Sequence, residues 1–142
     1  MGNKKLLIFG LFLLLYGCSS YTENPEDAGD YELMDRANNL YEEKKYQEAY
    51  ELFEVLQRRH PQDPFYLVEM GHYKAKMGDD AQSVVLFQKA LALEPDNPDL
   101  INKVAIALMY AKKYKESSKL FQQVIQKGFN PADAWANLGY IA

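Results

Sequence analysis

Apolar residues recur along residues 30–142 with the period of amphipathic helices, in pairs of stretches joined by short polar turns. In one such pair, Leu67 and Gly71 share a helical face in the first stretch. Phe87 and Leu91 share a face in the second stretch. The pattern predicts helical hairpins whose two apolar faces meet.

The hairpin pattern itself repeats with a period of 34 residues. Because several columns keep the same register, chance spacing is a poor explanation, and stacked copies of one supersecondary unit are predicted. The columns are Phe53/Phe87/Phe121, Leu33/Leu67/Ile101/Trp135, Ala37/Gly71/Ala105/Gly139 and Pro61/Pro95.

This period and these columns resemble the tetratricopeptide repeat (TPR), and the run Trp135-Ala136-Asn137-Leu138-Gly139 is a close match to the start of such a repeat. The resemblance implies an all-α fold, a TPR helix-turn-helix solenoid with three repeats plus the first helix of a fourth. The repeats are expected at about residues 30–63, 64–97 and 98–131, with a partial one at 132–142.

Helix boundaries agree with this division. Asp63-Pro64, Asn97-Pro98 and Asn130-Pro131 each place a capping side chain before a proline, which suits the first turn of a helix. Gly78 and Gly128 are expected at left-handed helix ends.

The first residues have the form of an export signal: Lys4 and Lys5 precede twelve uncharged residues, Leu6 to Gly17. The run is shorter than the stretch of about 20 apolar residues that spans a bilayer. It ends in Leu15-Tyr16-Gly17-Cys18, which resembles the lipobox of bacterial lipoproteins.

That resemblance implies a signal peptide at residues 1–17 and a lipid on Cys18, followed by a flexible, acidic tether over residues 18–29. The alternative is an ordinary signal peptide with an incidental cysteine. By the same resemblance, Ser19 after the cysteine implies the outer membrane, facing the periplasm, with the cell surface or the plasma membrane as alternatives.

The TPR resemblance also implies a concave groove lined by the first helix of each repeat. Its expected lining is aromatic and rich in amides, with few charges, which suits an extended peptide or a helix of a partner protein. Some TPR relatives bind a terminal carboxylate with Lys and Asn at fixed groove positions; here only Asn38 and Lys103 fit, so we do not expect a carboxylate-binding site of that kind. The predicted groove residues are Tyr31, Met34, Asn38, Tyr41, Phe65, Val68, His72, Asn102, Ile106, Met109 and Tyr140.

Charge and motifs restrict the function further. The net charge is −4, and removal of Lys4 and Lys5 with the leader leaves 14 basic and 20 acidic residues, a net charge of −6. This balance argues against nucleic acid as a partner. Neither His60 nor His72 belongs to a catalytic or metal-binding motif. We therefore expect no enzyme activity, no metal and no cofactor beyond the lipid on Cys18.

The leading functional prediction is a membrane-anchored scaffold or adaptor for proteins of the bacterial cell envelope, such as pilus, secretion, outer-membrane assembly or cell-wall machinery. An alternative is an accessory subunit that positions a peptidoglycan enzyme, and a third is a carrier of lipid or apolar ligands. Because Trp135, Leu138 and Ile141 form an apolar edge in the last stretch, we also expect either a second subunit to cover this edge or the natural chain to continue.

Overall fold

The computed structural model describes residues 24–142 of the 142-residue chain, and these residues form α-helices joined by loops of three or four residues. The predicted signal peptide, Cys18 and the first part of the tether lie outside the described residues. No helix within residues 24–142 combines the length and apolar character needed to span a membrane. The helices are α1 (Asp30–Glu42), α2 (Tyr46–Arg59), α3 (Pro64–Lys76), α4 (Asp80–Leu93), α5 (Pro98–Tyr110), α6 (Tyr114–Gln126) and α7 (Pro131–Ile141).

The helices stack in chain order, so that each one packs against the helix before it and the helix after it. Loops this short make consecutive helices antiparallel. The result is three hairpins, α1/α2, α3/α4 and α5/α6, followed by α7, which packs on α6 and touches α5. The predicted all-α solenoid of three hairpins and a single additional helix is confirmed.

The central hairpin shows why the 34-residue columns hold the fold together. The ring of Phe87 lies in the interior between α3 and α4, and a Cβ built at Gly71 would meet that ring at 2.8 Å. Glycine at this position therefore lets the two helices approach closely. Leu67 from the same face is 7% exposed, and burial of a side chain of this kind contributes about 1.5–3 kcal/mol.

Two of the three predicted N-caps are present. The Asp63 carboxylate accepts from the Phe65 amide at 2.9 Å, and the Asn97 side chain accepts from the Asp99 amide at 3.0 Å. The prediction for Asn130 is wrong, because this residue takes a left-handed conformation (φ 37°) and its side chain makes no capping hydrogen bond.

The turns inside the hairpins share one left-handed residue at the 34-residue period. Gly78 has φ 78°, as predicted, and Gly128 in the last loop has φ 70°. The equivalent positions in the first and third hairpins hold Lys44 (φ 61°) and Lys112 (φ 60°), which the sequence did not suggest. A non-glycine residue in this region is strained by its Cβ.

Residues 24–29 lie against the end of α2, although they belong to the predicted flexible tether. The Arg59 guanidinium donates to the carbonyl oxygens of Ala28 and Glu26, each at 2.8 Å, and to the Asp30 carboxylate at 2.8 Å. The polar composition of this segment gave no sign of the contact, because the arginine that holds it lies 31 residues beyond Ala28 in sequence.

Candidate peptide-binding groove

The first helices of the three hairpins, α1, α3 and α5, line one face of the solenoid, and three pockets follow one another along it. We refer to this face as the groove. The first pocket, about 320 Å³, lies between α1 and α3, and the other two lie between α3 and α5. His72 lines all three pockets, so they form one continuous depression rather than separate cavities.

The α1/α3 pocket is aromatic with a polar rim. The rings of Tyr41 and Tyr73 meet edge-on with centroids 6.1 Å apart, and the Lys76 ammonium lies 5.9 Å from the centroid of the Tyr41 ring. Burial raises the pKa of the Tyr73 hydroxyl to about 12. Asn38 and Glu69 complete the lining. The pocket offers ring faces together with an amide and both signs of charge.

The second pocket, about 240 Å³, is the apolar α3/α5 pocket. Its lining residues are His72, Ala75, Asp80, Ser83, Phe87, Asn102, Lys103, Ile106, Ala107 and Tyr110. His72 packs edge-on against Phe87, with ring centroids 5.1 Å apart. Although His72 as a whole is exposed, partial desolvation of its ring, and then the charge of Lys103, lowers the pKa of the imidazole, which favours its neutral form. This pocket fits one apolar side chain better than a charged one.

Asn102 gives the apolar α3/α5 pocket an unused acceptor. Its side-chain oxygen Oδ1 is buried and has no hydrogen-bond partner among the described residues. Burial of a polar group without a partner costs about 1–3 kcal/mol, and a ligand N–H at this oxygen would remove that cost.

The third pocket, about 380 Å³, is the acidic α3/α5 pocket, at the amino-terminal ends of the two helices. Its lining residues are Asp63, Pro64, Phe65, Val68, Glu69, His72, Glu94, Asn97, Asp99, Leu100 and Lys103. Four of them are carboxylates and one is a lysine. The Lys103 ammonium already pairs with the Asp99 carboxylate at 3.2 Å. The pocket is therefore strongly negative.

Glu69 lies where the α1/α3 pocket and the acidic α3/α5 pocket adjoin. Burial raises the pKa of the Glu69 carboxyl, and the charge of Lys103 offsets part of this rise. The described residues provide this carboxylate with no hydrogen bond or ion pair. A cationic ligand group at this carboxylate would add an ion pair.

Several solved structures share this architecture. The first TPR domain of Spaghetti (RPAP3), bound to the HSP90 peptide SRMEEVD, is similar with a TM-score of 0.69 and 19% identity, over 79% of this chain and 89% of that chain. The Yersinia enterocolitica type III secretion chaperone SycD, in complex with a peptide of the translocator YopD, has a TM-score of 0.69 and 17% identity, over 80% of this chain and 94% of that chain. The TPR2B domain of yeast Sti1, in its pHsp70 complex, has a TM-score of 0.68 and 13% identity, over 79% of this chain and 94% of that chain. No protein-family model and no curated protein matches the sequence.

This chain has the TPR fold. Because the identities are below 25%, the likeness concerns the fold, and the chemistry of the groove rests on the residues of this chain. In this TPR groove, the side chains that face the pockets are those described above.

Seven of the predicted groove residues line the three pockets: Asn38, Tyr41, Phe65, Val68, His72, Asn102 and Ile106. Their role in ligand binding stays a prediction. Tyr31, Met34 and Tyr140 line none of these pockets, and Tyr31 and Tyr140 are highly exposed.

Two predicted groove residues belong to the interior. Val68 and Met109 are each 8% exposed. Met109 packs in the cluster that contains Ile101 and Phe121, so the prediction that it faces the groove is wrong. Val68 reaches the acidic α3/α5 pocket only with the small part of its surface that the neighbouring helices leave open.

The expectation of few charges is also wrong. Glu69 was missed, although it lies one helical turn after Phe65 on the predicted groove face, and Lys103 was considered only as a carboxylate-binding position. Lys76 was missed one turn after His72, and Tyr110 was missed at the end of α5. Extension of the predicted face by one turn from Phe65, His72 and Ile106 would have found the three missed residues.

No set of three or more histidine, cysteine, aspartate or glutamate side chains in residues 24–142 is arranged to hold a metal ion. Cys18, the predicted lipidation site, lies outside this part of the chain. The groove offers apolar contacts, unpaired acceptors and charge, which are the properties of a binding surface for a protein segment.

Proposed function

We propose that this protein is an adaptor that binds a short segment of a partner protein in the groove lined by α1, α3 and α5. The observation that carries the proposal is the continuous run of three pockets joined at His72. Exposed aromatic residues flank the α3/α5 part of the run, since Phe65 is 47% exposed and Tyr110 is 64% exposed. Aromatic side chains are enriched at protein interfaces.

The shape and polarity of the groove favour a peptide over an apolar carrier ligand. A lipid would cover the Glu69 carboxylate and the Asn102 oxygen without offering either of them a hydrogen-bond donor, and burial of unpaired polar groups is costly. An extended peptide presents a side chain and a backbone N–H at short intervals, so it can fill one pocket and satisfy the acceptors beside it. Structures with a similar fold carry peptides, as the chaperone SycD does with a segment of its translocator.

We further propose that the adaptor is anchored to a bacterial membrane through a lipid on Cys18 and acts among envelope proteins, at the outer membrane and facing the periplasm. The support is the sequence of the leader, Lys4-Lys5 followed by the apolar run and Leu15-Tyr16-Gly17-Cys18. Two or more acyl chains on one residue give stable membrane attachment.

The anchor is tested by substitution of the cysteine. Cys18→Ala should leave the full chain without lipid, as measured by the mass of the purified protein and by its release from membranes during fractionation. An unchanged mass and unchanged membrane association in the variant would contradict the lipid anchor.

The adaptor role is tested by affinity capture from detergent-solubilised membranes with the full chain. Wild type should capture partners that Tyr41→Ala/Ile106→Ala loses, because these side chains line two different pockets of the groove. The matched control is Gln88→Ala/Gln122→Ala, whose exposed side chains lie on α4 and α6 outside the three pockets. Equal capture by the two double variants would mean that the groove does not bind the captured partners.

A further inference from the structure

The α3/α5 part of the groove combines an apolar pocket with an acidic one, and the two adjoin. His72 and Lys103 line both pockets. One end of this cleft is formed by Ala75, Ile106 and Tyr110, and the opposite end by Phe65 and a set of carboxylates. A ligand that lies along the cleft meets both environments.

The acidic α3/α5 pocket keeps a net negative charge because three of its four carboxylates form no ion pair within the described residues. Asp63 caps α3, and the Glu94 carboxylate accepts from the Asn97 amide at 2.7 Å, so the partners of both are neutral donors. Lys103 pairs with Asp99. Glu69 has no hydrogen bond or ion pair within the described residues.

Phe65 adds a second attraction for a cation. This side chain lines the acidic α3/α5 pocket and is exposed. A cation above an aromatic face gains electrostatic energy from the ring quadrupole, in addition to its attraction to nearby carboxylates.

A separate observation marks the apolar α3/α5 pocket as a place for a ligand. The buried Asn102 oxygen in its lining lacks a donor. The backbone N–H of an extended segment is a donor of the right kind, because it accompanies every side chain placed in the pocket except that of proline.

We propose, on the basis of the proposed adaptor function, that the α3/α5 cleft selects a segment carrying an apolar side chain for the apolar pocket and a lysine or arginine for the acidic pocket. Charge complementarity determines the second residue, and the size and lining of the 240 Å³ pocket determine the first. A segment with an acidic residue at the second position is rejected by the same carboxylates.

The helix geometry also sets the spacing of this motif. The lining residues of the apolar pocket lie about five positions further along α3 and α5 than those of the acidic pocket, which is about 8 Å at a rise of about 1.5 Å per residue. An extended chain advances about 3.3 Å per residue, so the basic and apolar residues should be about two or three positions apart.

The test is an array of random nine-residue peptides with acetylated and amidated ends, probed with the labelled full chain in detergent. Bound peptides should be enriched in Lys or Arg two or three positions from Leu, Ile, Met or Phe. For a selected peptide, Glu69→Gln should weaken binding about tenfold, as expected for loss of a hydrogen bond to a charged group. Glu116→Gln, an exposed α6 residue outside the three pockets, should change binding less than twofold.

Reversal of the charge at Glu69 tests whether this carboxylate selects the ligand residue, because a purely structural role would not change the sequence preference of the bound peptides. Glu69→Lys should shift the enriched residue from basic to acidic, and Asp99→Asn serves as the second variant if either Glu69 variant fails to fold by circular dichroism. Enrichment of apolar residues without a basic preference, or equal effects of Glu69→Gln and Glu116→Gln, would overturn the basic-apolar selection and leave peptide binding intact. An array without any enriched sequence would overturn both proposals.

Discussion

The central hairpin and α7 carry the same sequence columns in different environments. Leu67 in α3 and Trp135 in α7 occupy one column, yet Leu67 is 7% exposed and Trp135 is 62% exposed. Gly71 and Gly139 occupy another column, and only Gly71 has a ring against it. The difference arises because α3 packs between α2 and α4, whereas α7 packs on α6 with a small contact to α5. A column therefore predicts which face of a helix is apolar, and the next helix decides whether that face is buried.

The largest expected effect contrasts two aromatic residues across this comparison. Phe87→Ala should lower the free energy of unfolding by about 3–5 kcal/mol, because it leaves a cavity between α3 and α4. Trp135→Ala should change it by no more than about 0.5 kcal/mol, as expected of an exposed side chain. Urea unfolding followed by circular dichroism measures both. Equal losses would mean that α7 is as firmly packed as the central hairpin.

The second contrast uses the two glycines. Gly71→Ala should destabilise the fold by about 1–3 kcal/mol, because the new Cβ overlaps the Phe87 ring and the core must shift. Gly139→Ala should be neutral or stabilising by up to about 1 kcal/mol, since nothing lies within 4 Å and alanine favours the helix.

A double-mutant cycle identifies the cause of the Gly71 effect. If the Phe87 ring is responsible, Gly71→Ala should cost less in a Phe87→Leu background than in wild type. An undiminished cost would place the conflict elsewhere in the hairpin.

The third contrast concerns the hairpin turns. The central turn has Gly78 at its left-handed position, and the third hairpin has Lys112. Lys112→Gly should stabilise the protein by about 1 kcal/mol through relief of backbone strain, and Gly78→Lys should destabilise it by a similar amount. Thermal unfolding of the two variants measures the shifts. Destabilisation of the protein by Lys112→Gly would show that Lys112 makes a compensating contact.

The smallest expected effect lies at the opposite end of the solenoid from α7. Hydrogen bonds from Arg59 and then from His60 lower the pKa of the Asp30 carboxyl. A lowered folded-state pKa stabilises the fold above the ordinary carboxyl pKa of about 3.9, and this stability is lost as the pH falls through the folded-state value.

Asp30→Asn should therefore be slightly less stable than wild type at neutral pH, and the difference should shrink at acidic pH. The loss should not exceed about 1 kcal/mol, because the Asp30 side chain is 37% exposed and solvent screens its interactions. Unfolding midpoints at pH 7 and below pH 4 provide the measurement. A difference that grows on acidification would contradict the assigned cause.

Much of the fold followed from the sequence, because the repeat places the same residue type in the same position several times. Phe53, Phe87 and Phe121 are all in the interior, as their common column predicts. Lys44 and Lys112 could not be predicted as left-handed residues, since lysine has no preference for that conformation. Asn130 was wrongly predicted to cap α7, because an Asn-Pro pair is compatible with both a helix cap and a left-handed loop residue.

The sequence predicted the location of the groove better than it predicted the charge of the residues that line it. Helical spacing identified His72 and Ile106, which line the apolar α3/α5 pocket. It placed Met109 on the same face as Ile106, because three steps of about 100° leave the two side chains only about 60° apart, and Met109 in fact turns into the core. Two of the four carboxylates of the acidic α3/α5 pocket, Asp63 and Glu94, come from loops rather than from first helices. Residues brought in from another element leave no periodic signal.

The most direct test of the account is photo-crosslinking in cells with a crosslinking residue at one position of the full chain. Position 106 lies in the groove, position 88 is exposed on α4, and position 135 is exposed on α7. The account predicts an adduct with a partner protein at position 106, and none with that partner at positions 88 and 135. An adduct confined to position 135 would contradict the account and place the interaction on the exposed face of α7.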